Sequence, residues 1–186
     1  ETNRRVASLL SLLGWLALLP GQPVIAGETW LDVDTGKLTL SVMDGEVVSR
    51  TFEGIAIGRN GVSSFRQVGD QTTPLGSFRI RRIKTDSRYH LFFGFDYPNM
   101  DQATAALRAK RITSEQWQAI NLAHIQGREP PANTPLGGYI GIHGIGSGDP
   151  AIHEDFNWTE GCIALTNEQI DELARSVKVG TRVVVR

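Results

Sequence analysis

The sequence predicts a mostly β protein, a curved sheet or small sandwich that carries a helical insertion and ends in a helix followed by a strand. Three observations support this fold class. Short alternating segments fill residues 30–93, the period becomes helical near residue 101, and the final segment, 181–185, is rich in β-branched residues. Twenty glycines against two methionines agree with a chain of strands and turns.

The composition is typical of one globular domain with little net charge. The chain has 186 residues, of which 21% are charged, and its formal net charge is −1. This length is sufficient for a single domain with a substantial core. A near-neutral chain has no strong field for binding a phosphate backbone, so we expect no nucleic-acid partner.

The first 26 residues have the pattern of a targeting segment. An Arg-Arg pair at positions 4 and 5 precedes an apolar run at 6–19, and Val-Ile-Ala follows at 24–26 as a cleavage-type sequence. The run is shorter than the ~20 residues that span a bilayer, which favours a cleaved signal peptide, with an N-terminal membrane anchor as the alternative. Both interpretations predict export to the periplasm or cell envelope.

The first half of the remaining chain is predicted to be a meander of antiparallel strands. Alternating residues predict strands over the segments 30–34, 37–43, 47–52, 54–58, 78–83 and 89–93. Asp44-Gly45 is a turn signal between two of these strands. We expect the strands to pair in chain order.

The middle of the chain is predicted to be a helical insertion over about 98–135. Asp101 is placed to cap a helix over 102–110. Thr113 and Gln116 have the spacing of a capping box for a second helix. We expect this helical pair to form a lid over the sheet.

The C-terminal part returns to the sheet. A strand is predicted over 138–142, and Thr166 with Gln169 forms a further capping box at the start of a C-terminal helix. The β-branched segment 181–185 is the last strand.

Cys162 is the single cysteine of a chain predicted to be exported, and its neighbours favour a reactive role. A lone thiol forms no intrachain disulfide, and it is at risk of oxidation in an oxidising compartment. His143 and Gly144 follow a predicted strand, and Gly161 precedes the cysteine. An imidazole can take the thiol proton, and a glycine lets a substrate backbone approach closely. A buried cysteine that acts as a small hydrophobic residue is the alternative.

Other residues near this pair are weaker candidates. Tyr139 lies on the strand that leads to the histidine and Trp158 lies close before the cysteine, so both are candidates for lining a substrate site. His153 is expected in a solvated acidic loop rather than at a metal site. The basic run at 81–88 is either a solvated face or a surface for carboxylates. We expect neither a metal nor a cofactor.

These residues resemble the motifs of the L,D-transpeptidases, whose catalytic domain is named YkuD. The His-Gly pair at 143–144, TEGCIAL at 159–165 and TPLG at 73–76 are similar to the family's elements. The resemblance spans roughly 29–186, and the insertion together with TPLGGYIGIHG at 134–144 is similar to the YafK-like branch. It implies a YkuD-like curved β-sandwich and a catalytic domain over 27–186.

The resemblance also implies roles for individual residues. Cys162 matches the nucleophile, His143 its base, and Gly144 the residue whose carbonyl orients the imidazole. Gly161 and Cys162 match the turn that forms the oxyanion hole, and Thr159 matches the hydroxyl residue before it.

The implied reaction is acyl transfer on peptidoglycan stem peptides through a thioester. The acceptor would be an amine of another stem peptide or of a murein-linked lipoprotein. Ala164 stands where many members have Arg or Asn, which calls into question the usual contact with a substrate carboxylate. Two alternatives remain: a hydrolase of the same fold that cleaves diamino-acid crosslinks or lipoprotein–murein bonds, and an inactive murein-binding module.

Overall fold

The computed structural model describes residues 27–186, and the targeting segment predicted at 1–26 lies outside this range. In the described part, the strands are β1 (Thr29–Asp34), β2 (Thr39–Asp44), β3 (Val47–Glu53), β4 (Val62–Ser63), β5 (Thr73–Pro74), β6 (Gly76–Ser87), β7 (His90–Phe95), β8 (Gly141–Gly144), β9 (Ile163–Leu165) and β10 (Arg182–Val185). The helices are α1 (Met100–Arg108), α2 (Ser114–Ile125), α3 (Pro150–Asp155) and α4 (Asn167–Leu173). The predicted mostly β class with a helical insertion and a C-terminal helix and strand is confirmed.

Eight strands form one mixed sheet in the order β3-β2-β1-β10-β6-β7-β8-β9. The expected pairing in chain order is wrong at its centre, because β10 lies between β1 and β6. Val183 and Val185 of β10 are buried, while Arg182 and Val184 are half-buried. This alternation suits a strand with a core face, and β10 pairs parallel with β1 and antiparallel with β6.

The long strand β6 joins the two halves of the sheet. Its residues 76–79 pair with β10, and its residues from 80 onward pair with β7. The two halves contribute to a single core cluster, in which Leu31 and Phe78 pack with Ile142 and Ile163. These four side chains are at most 1% exposed. The sheet therefore curls around one core and holds β8 and β9 rigidly at one end.

Two predicted strands are shorter or displaced. The segment 54–58 makes only isolated bridges, in which Ala56 pairs with Ala164 and Gly58 with Thr159. The strand predicted over 138–142 begins at Gly141, because Tyr139 has a φ of +58°. A left-handed residue interrupts the extended backbone, so that the strand starts three residues later than predicted.

The helices begin at capping residues. Asn99, and not the predicted Asp101, caps α1, and its capping box is completed by Gln102. The boxes predicted at Thr113 and at Thr166 are both present. Within the described residues, no helix is both long enough and apolar enough to cross a membrane.

The short helix α3 lies in the segment around His153 that the sequence analysis expected to be a solvated acidic loop. The Asp149 side chain accepts a hydrogen bond from the Ala151 amide, and Pro150 occupies the first turn. An Asp-Pro pair is a helix-start signal, so the sequence did contain a sign of this helix.

Candidate active site

The parallel pairing of β8 with β9 places the two reactive residues at one site. His143 in β8 pairs with Ala164 in β9, and Cys162 lies two residues before that alanine. Residues two apart along an extended chain project to the same side, so the cysteine and the histidine point toward the same face. Both residues line one cleft.

His143 is a buried imidazole held by its own strand. It is 2% exposed, and its Nδ1 lies 2.7 Å from the carbonyl oxygen of Gly144. Since a carbonyl can only accept, Nδ1 carries the proton and Nε2 keeps a free lone pair. The ring of Tyr89 stacks on the imidazole with centroids 4.3 Å apart, and Trp158 meets it edge-on at 5.8 Å.

The environment of His143 favours its neutral form. Desolvation by burial lowers the pKa of His143 to about 4, although the hydrogen bond to Gly144 acts in the opposite direction. The charges of His153 and Arg88 lower the pKa further. The imidazole is therefore neutral at neutral pH and can accept a proton at Nε2.

Cys162 faces the cleft from the residue before β9. It is partly buried, and its Sγ donates a hydrogen bond to the carbonyl oxygen of Tyr139 at 3.5 Å. Desolvation raises the pKa of the Cys162 thiol. The backbone N–H of Gly141 and the positive charge of Arg66 act to lower this pKa, and Glu160 acts to raise it. The resting thiol is therefore protonated, and its activation requires a base.

Hydrogen bonds within the turn before Cys162 fix its conformation. The Thr159 hydroxyl donates to the carbonyl oxygen of Cys162 at 2.6 Å and accepts from the amide of Gly161 at 3.1 Å. Gly161 has a φ of +124°, and a Cβ there would lie 2.6 Å from the Thr72 carbonyl oxygen. Only glycine fits this position without strain or collision. The Gly161 amide is already bonded, whereas the amide of Cys162 has no backbone or side-chain acceptor among the described residues.

The cleft has a volume of about 940 Å³, which is large enough for a peptide segment. Tyr139 and Trp158 line this cleft together with His143 and Cys162, and their contact with a substrate stays a prediction. Its charged lining is five basic residues and two acidic ones: Arg59, Arg66, Arg82, Lys84 and Arg88, with Asp86 and Glu160. The basic run at 81–88 is thus more than a solvated face. None of the lining residues belongs to α1 or α2, so the predicted role of these helices as a lid stays a prediction.

Ala164 does not line the cleft. It is fully buried, and its backbone exchanges hydrogen bonds with Ala56 in both directions, at 2.7 and 3.0 Å. The cationic side chains that do line the cleft, such as Arg59 and Arg88, come from segments distant in sequence from Ala164.

The expectation that His153 lies in a solvated acidic loop is wrong. His153 is 6% exposed on α3, and its Nδ1 accepts a hydrogen bond from Trp158 Nε1 at 3.2 Å. Its Nε2 has no hydrogen-bond partner in the described part of the chain. His153 therefore supports the indole that meets His143. Across residues 27–186, no group of three or more His, Cys, Asp or Glu side chains is arranged to hold a metal ion.

Sequence reasoning missed two residues of the site. Tyr89 stacks on the imidazole, and Arg66 is buried beside the turn that carries the cysteine. Both residues approach from distant parts of the chain, and no local pattern marks them. Tyr89 was visible only as the first residue of a predicted strand, and Arg66 lies in a segment for which no element was predicted.

Comparisons with known proteins agree with this architecture. The family model of YkuD, described as the L,D-transpeptidase catalytic domain, matches residues 28–185. The helical cell shape determining protein Pgp2 from Campylobacter jejuni aligns with a TM-score of 0.53 and 20% identity, over 90% of this chain and 52% of that chain. Bd1075 from Bdellovibrio bacteriovorus aligns with a TM-score of 0.54 and 18% identity, over 87% of this chain and 48% of that chain.

This chain thus spans about half the length of the two proteins that it resembles in structure. At these identities, the likeness shows a shared fold. No curated protein matches the sequence.

The buried His143 predicts a specific loss of stability at acid pH. The unfolded chain binds a proton at the imidazole near pH 6.5, whereas the folded protein does so only near pH 4. The stabilisation is complete above pH 6.5 and is lost as the pH falls toward 4, by up to about 3 kcal/mol. Urea unfolding of the wild type and of His143→Asn at pH 7 and pH 4 measures this loss of stability. The free energy of unfolding should fall less in the variant than in the wild type, by about 3 kcal/mol.

The control for this experiment is His124→Asn, which removes a histidine outside the cleft whose ring lies against a backbone carbonyl, that of Pro98. This variant should keep the wild-type loss of stability between pH 7 and pH 4. Equal losses in wild type and His143→Asn would contradict a neutral, buried imidazole.

Because a Cβ at Gly161 would collide with the Thr72 carbonyl oxygen, we expect a methyl group added there to lower the stability of the fold strongly. Gly161→Ala should lower the free energy of unfolding by about 2 kcal/mol more than Gly180→Ala. Gly180 is a matched control, because it has a φ of +94° but open space where a Cβ would lie. Urea unfolding compares the two variants. Equal effects would mean that the turn before Cys162 is not packed tightly against Thr72.

Proposed function

This chain belongs to the YkuD family of L,D-transpeptidase catalytic domains, and from this premise we propose that it transfers acyl groups of peptidoglycan stem peptides through Cys162. The observation that supports this most directly is that a thiol directly before β9 and a neutral imidazole on the parallel strand β8 line one cleft. Cys162 is the nucleophile, and His143 is its base. The donor is a stem peptide cleaved between a diamino acid at position three and D-alanine at position four.

The first step couples proton transfer to nucleophilic attack. The thiol turns from the Tyr139 carbonyl toward the free Nε2 of His143, which takes its proton as sulfur attacks the peptide carbonyl. The Gly144 carbonyl keeps the ring oriented, because it accepts from Nδ1 before and after the transfer. The stacked ring of Tyr89 then stabilises the imidazolium through a cation–π contact.

The second step releases D-alanine. The amide of Cys162 donates to the developing oxyanion, while Thr159 and Gly161 keep the turn in shape. The imidazolium gives its proton to the leaving nitrogen, the carbon–nitrogen bond breaks, and the stem peptide remains on sulfur as a thioester. His143 is then neutral again and can take a proton from the acceptor amine.

Many members of the family have Arg or Asn at the position of Ala164, where that side chain contacts a substrate carboxylate. In this chain, cationic side chains that line the cleft provide that contact. Stem peptides carry free carboxylates, and Arg59 and Arg88 line the same cleft as Cys162. In the described residues, neither arginine lies within 4 Å of a carboxylate. We assign them to the substrate carboxylates on this basis.

The acceptor that resolves the thioester decides the product. An amine of a second stem peptide gives a crosslink, and an amine of a lipoprotein gives an attached protein. Water gives hydrolysis, and the same residues carry every step before the resolution. We propose transfer to an amine, because the aromatic side chains around His143 restrict the access of water to that face of the ring.

The location of the substrate gives residues 1–26 a role in this proposal. Peptidoglycan lies outside the cytoplasmic membrane, so the catalytic domain must be exported to reach it. We propose that this segment is a signal peptide or an N-terminal anchor, and that the domain acts in the periplasm or cell envelope.

Replacing the nucleophile or the base should abolish product formation. Cys162→Ala and His143→Asn are each expected to reduce D-alanine release from tetrapeptide muropeptides by at least about 1,000-fold. Liquid chromatography with mass spectrometry identifies the products, and His90→Asn should keep the wild-type rate. New muropeptide dimers indicate the proposed transfer.

Three outcomes would contradict this proposal in different ways. Shortened monomers without dimers would identify a hydrolase of the same fold. Binding to murein without any product would identify an inactive binding module. Full turnover in Cys162→Ala would remove the cysteine from the mechanism.

A further inference from the structure

Arg66 connects three separate segments around the candidate active site. Its Nε donates to the carbonyl oxygen of Thr72 at 3.1 Å, its Nη1 to that of Leu136 at 2.8 Å and its Nη2 to that of Glu160 at 3.3 Å. The guanidinium also lies over the ring of Tyr97, 5.4 Å from the centroid. A planar fork with several donors is suited to hold carbonyl groups in different directions at once.

The charge of Arg66 is not neutralised by a salt bridge. Arg66 is 7% exposed and is the one buried arginine or lysine in residues 27–186, where no aspartate or glutamate is buried. Among the residues that the structure describes, no carboxylate lies within 4 Å of its guanidinium. The nearby carboxylate of Asp70 is bonded instead to Gln67 and Thr72, at 2.7 to 2.9 Å.

Burying a charge without a paired carboxylate is unfavourable for folding, so the Arg66 guanidinium carries a desolvation penalty at this position. Carbonyl dipoles and one aromatic ring compensate only part of the cost. The residual positive field reaches Cys162, where it acts to lower the pKa of the thiol. Glu160 opposes this effect from the exposed side of the same turn.

The contacts of Arg66 fix the backbone on both sides of the sulfur. On one side, the Glu160 carbonyl lies two residues before Cys162. On the other side, the Leu136 carbonyl lies three residues before Tyr139, whose own carbonyl accepts from the Cys162 thiol. Loss of the guanidinium would release both segments at the same time.

We propose that Arg66 is a positioning residue for Cys162, which holds the two segments that flank the sulfur and supplies the positive charge that stabilises the thiolate and the oxyanion. This inference rests on the proposed function, because it takes Cys162 as the nucleophile. A purely structural role would change the stability of the fold but leave the ionisation of the thiol unaltered.

The test follows the alkylation of Cys162 by iodoacetamide between pH 6 and pH 11, with the modified peptide quantified by mass spectrometry. In Arg66→Met, the rate at pH 8 should fall about tenfold and the profile should move about one pH unit upward. Arg66→Lys keeps the charge and should stay within about threefold of the wild-type rate. Arg108→Met removes an exposed arginine outside the cleft and should match the wild type.

An Arg66→Met protein with native near-ultraviolet circular dichroism and a wild-type alkylation profile would overturn the proposal. Arg66→Gln is a second neutral variant with the same expectation, and it decides the question if the methionine variant does not fold. Alkylation needs no peptidoglycan. If the Arg66 variants change the alkylation profile as expected but the wild-type protein forms no muropeptide products, the proposed function is contradicted. The inference about Arg66 then still holds.

Discussion

The parallel pairing of β8 with β9 is the constraint on which the site depends. His143 and Cys162 are 19 residues apart, and only the register between Gly141–Gly144 and Ile163–Leu165 brings them to one face of the sheet. This register is fixed from both sides. Strand β7 pairs with β8, and the bridge between Ala56 and Ala164 closes the outer side of β9. A slip by one residue would turn the histidine or the cysteine to the opposite face.

The electrostatics of the site follow from the desolvation of His143 and Cys162. Desolvation makes the imidazole a weaker base and the thiol a weaker acid, so the resting pair is neutral rather than an ion pair. The protein compensates locally. The Gly144 carbonyl prepares the imidazole for a positive charge, and the Gly141 amide with the Arg66 guanidinium prepares the sulfur for a negative one. In the proposed mechanism, charge separation develops only when a substrate fills the cleft.

The sequence predicted the parts of the fold that depend on local chemistry. The capping boxes at Thr113 and Thr166 were predicted because their partners lie three residues away. The His-Gly and Thr-Glu-Gly-Cys elements were found for the same reason, since each is a short run of residues. Glycine at position 161 is likewise required by the local backbone, with its φ of +124°.

The rest depends on contacts between distant parts of the chain, which no local pattern reveals. The insertion of β10 between β1 and β6 follows from core packing and not from chain order. Arg66 reaches the carbonyl of Glu160 across 94 residues, and His153 became buried because α3 places it against Trp158. Arg82, Lys84 and Arg88 were visible only as parts of a basic run, and the fold places them at the cleft together with Arg59 and Arg66.

The most direct measurement of the central claim is capture of the covalent intermediate. The wild-type protein is mixed with a tetrapeptide stem, quenched in acid within the first turnover and digested for mass spectrometry. We expect a stem tripeptide on the Cys162 side chain, through a bond that hydroxylamine cleaves, and none in the His143→Asn protein under the same conditions. Product formation without an acyl group on Cys162, or with the acyl group on another residue, would contradict acyl transfer through Cys162.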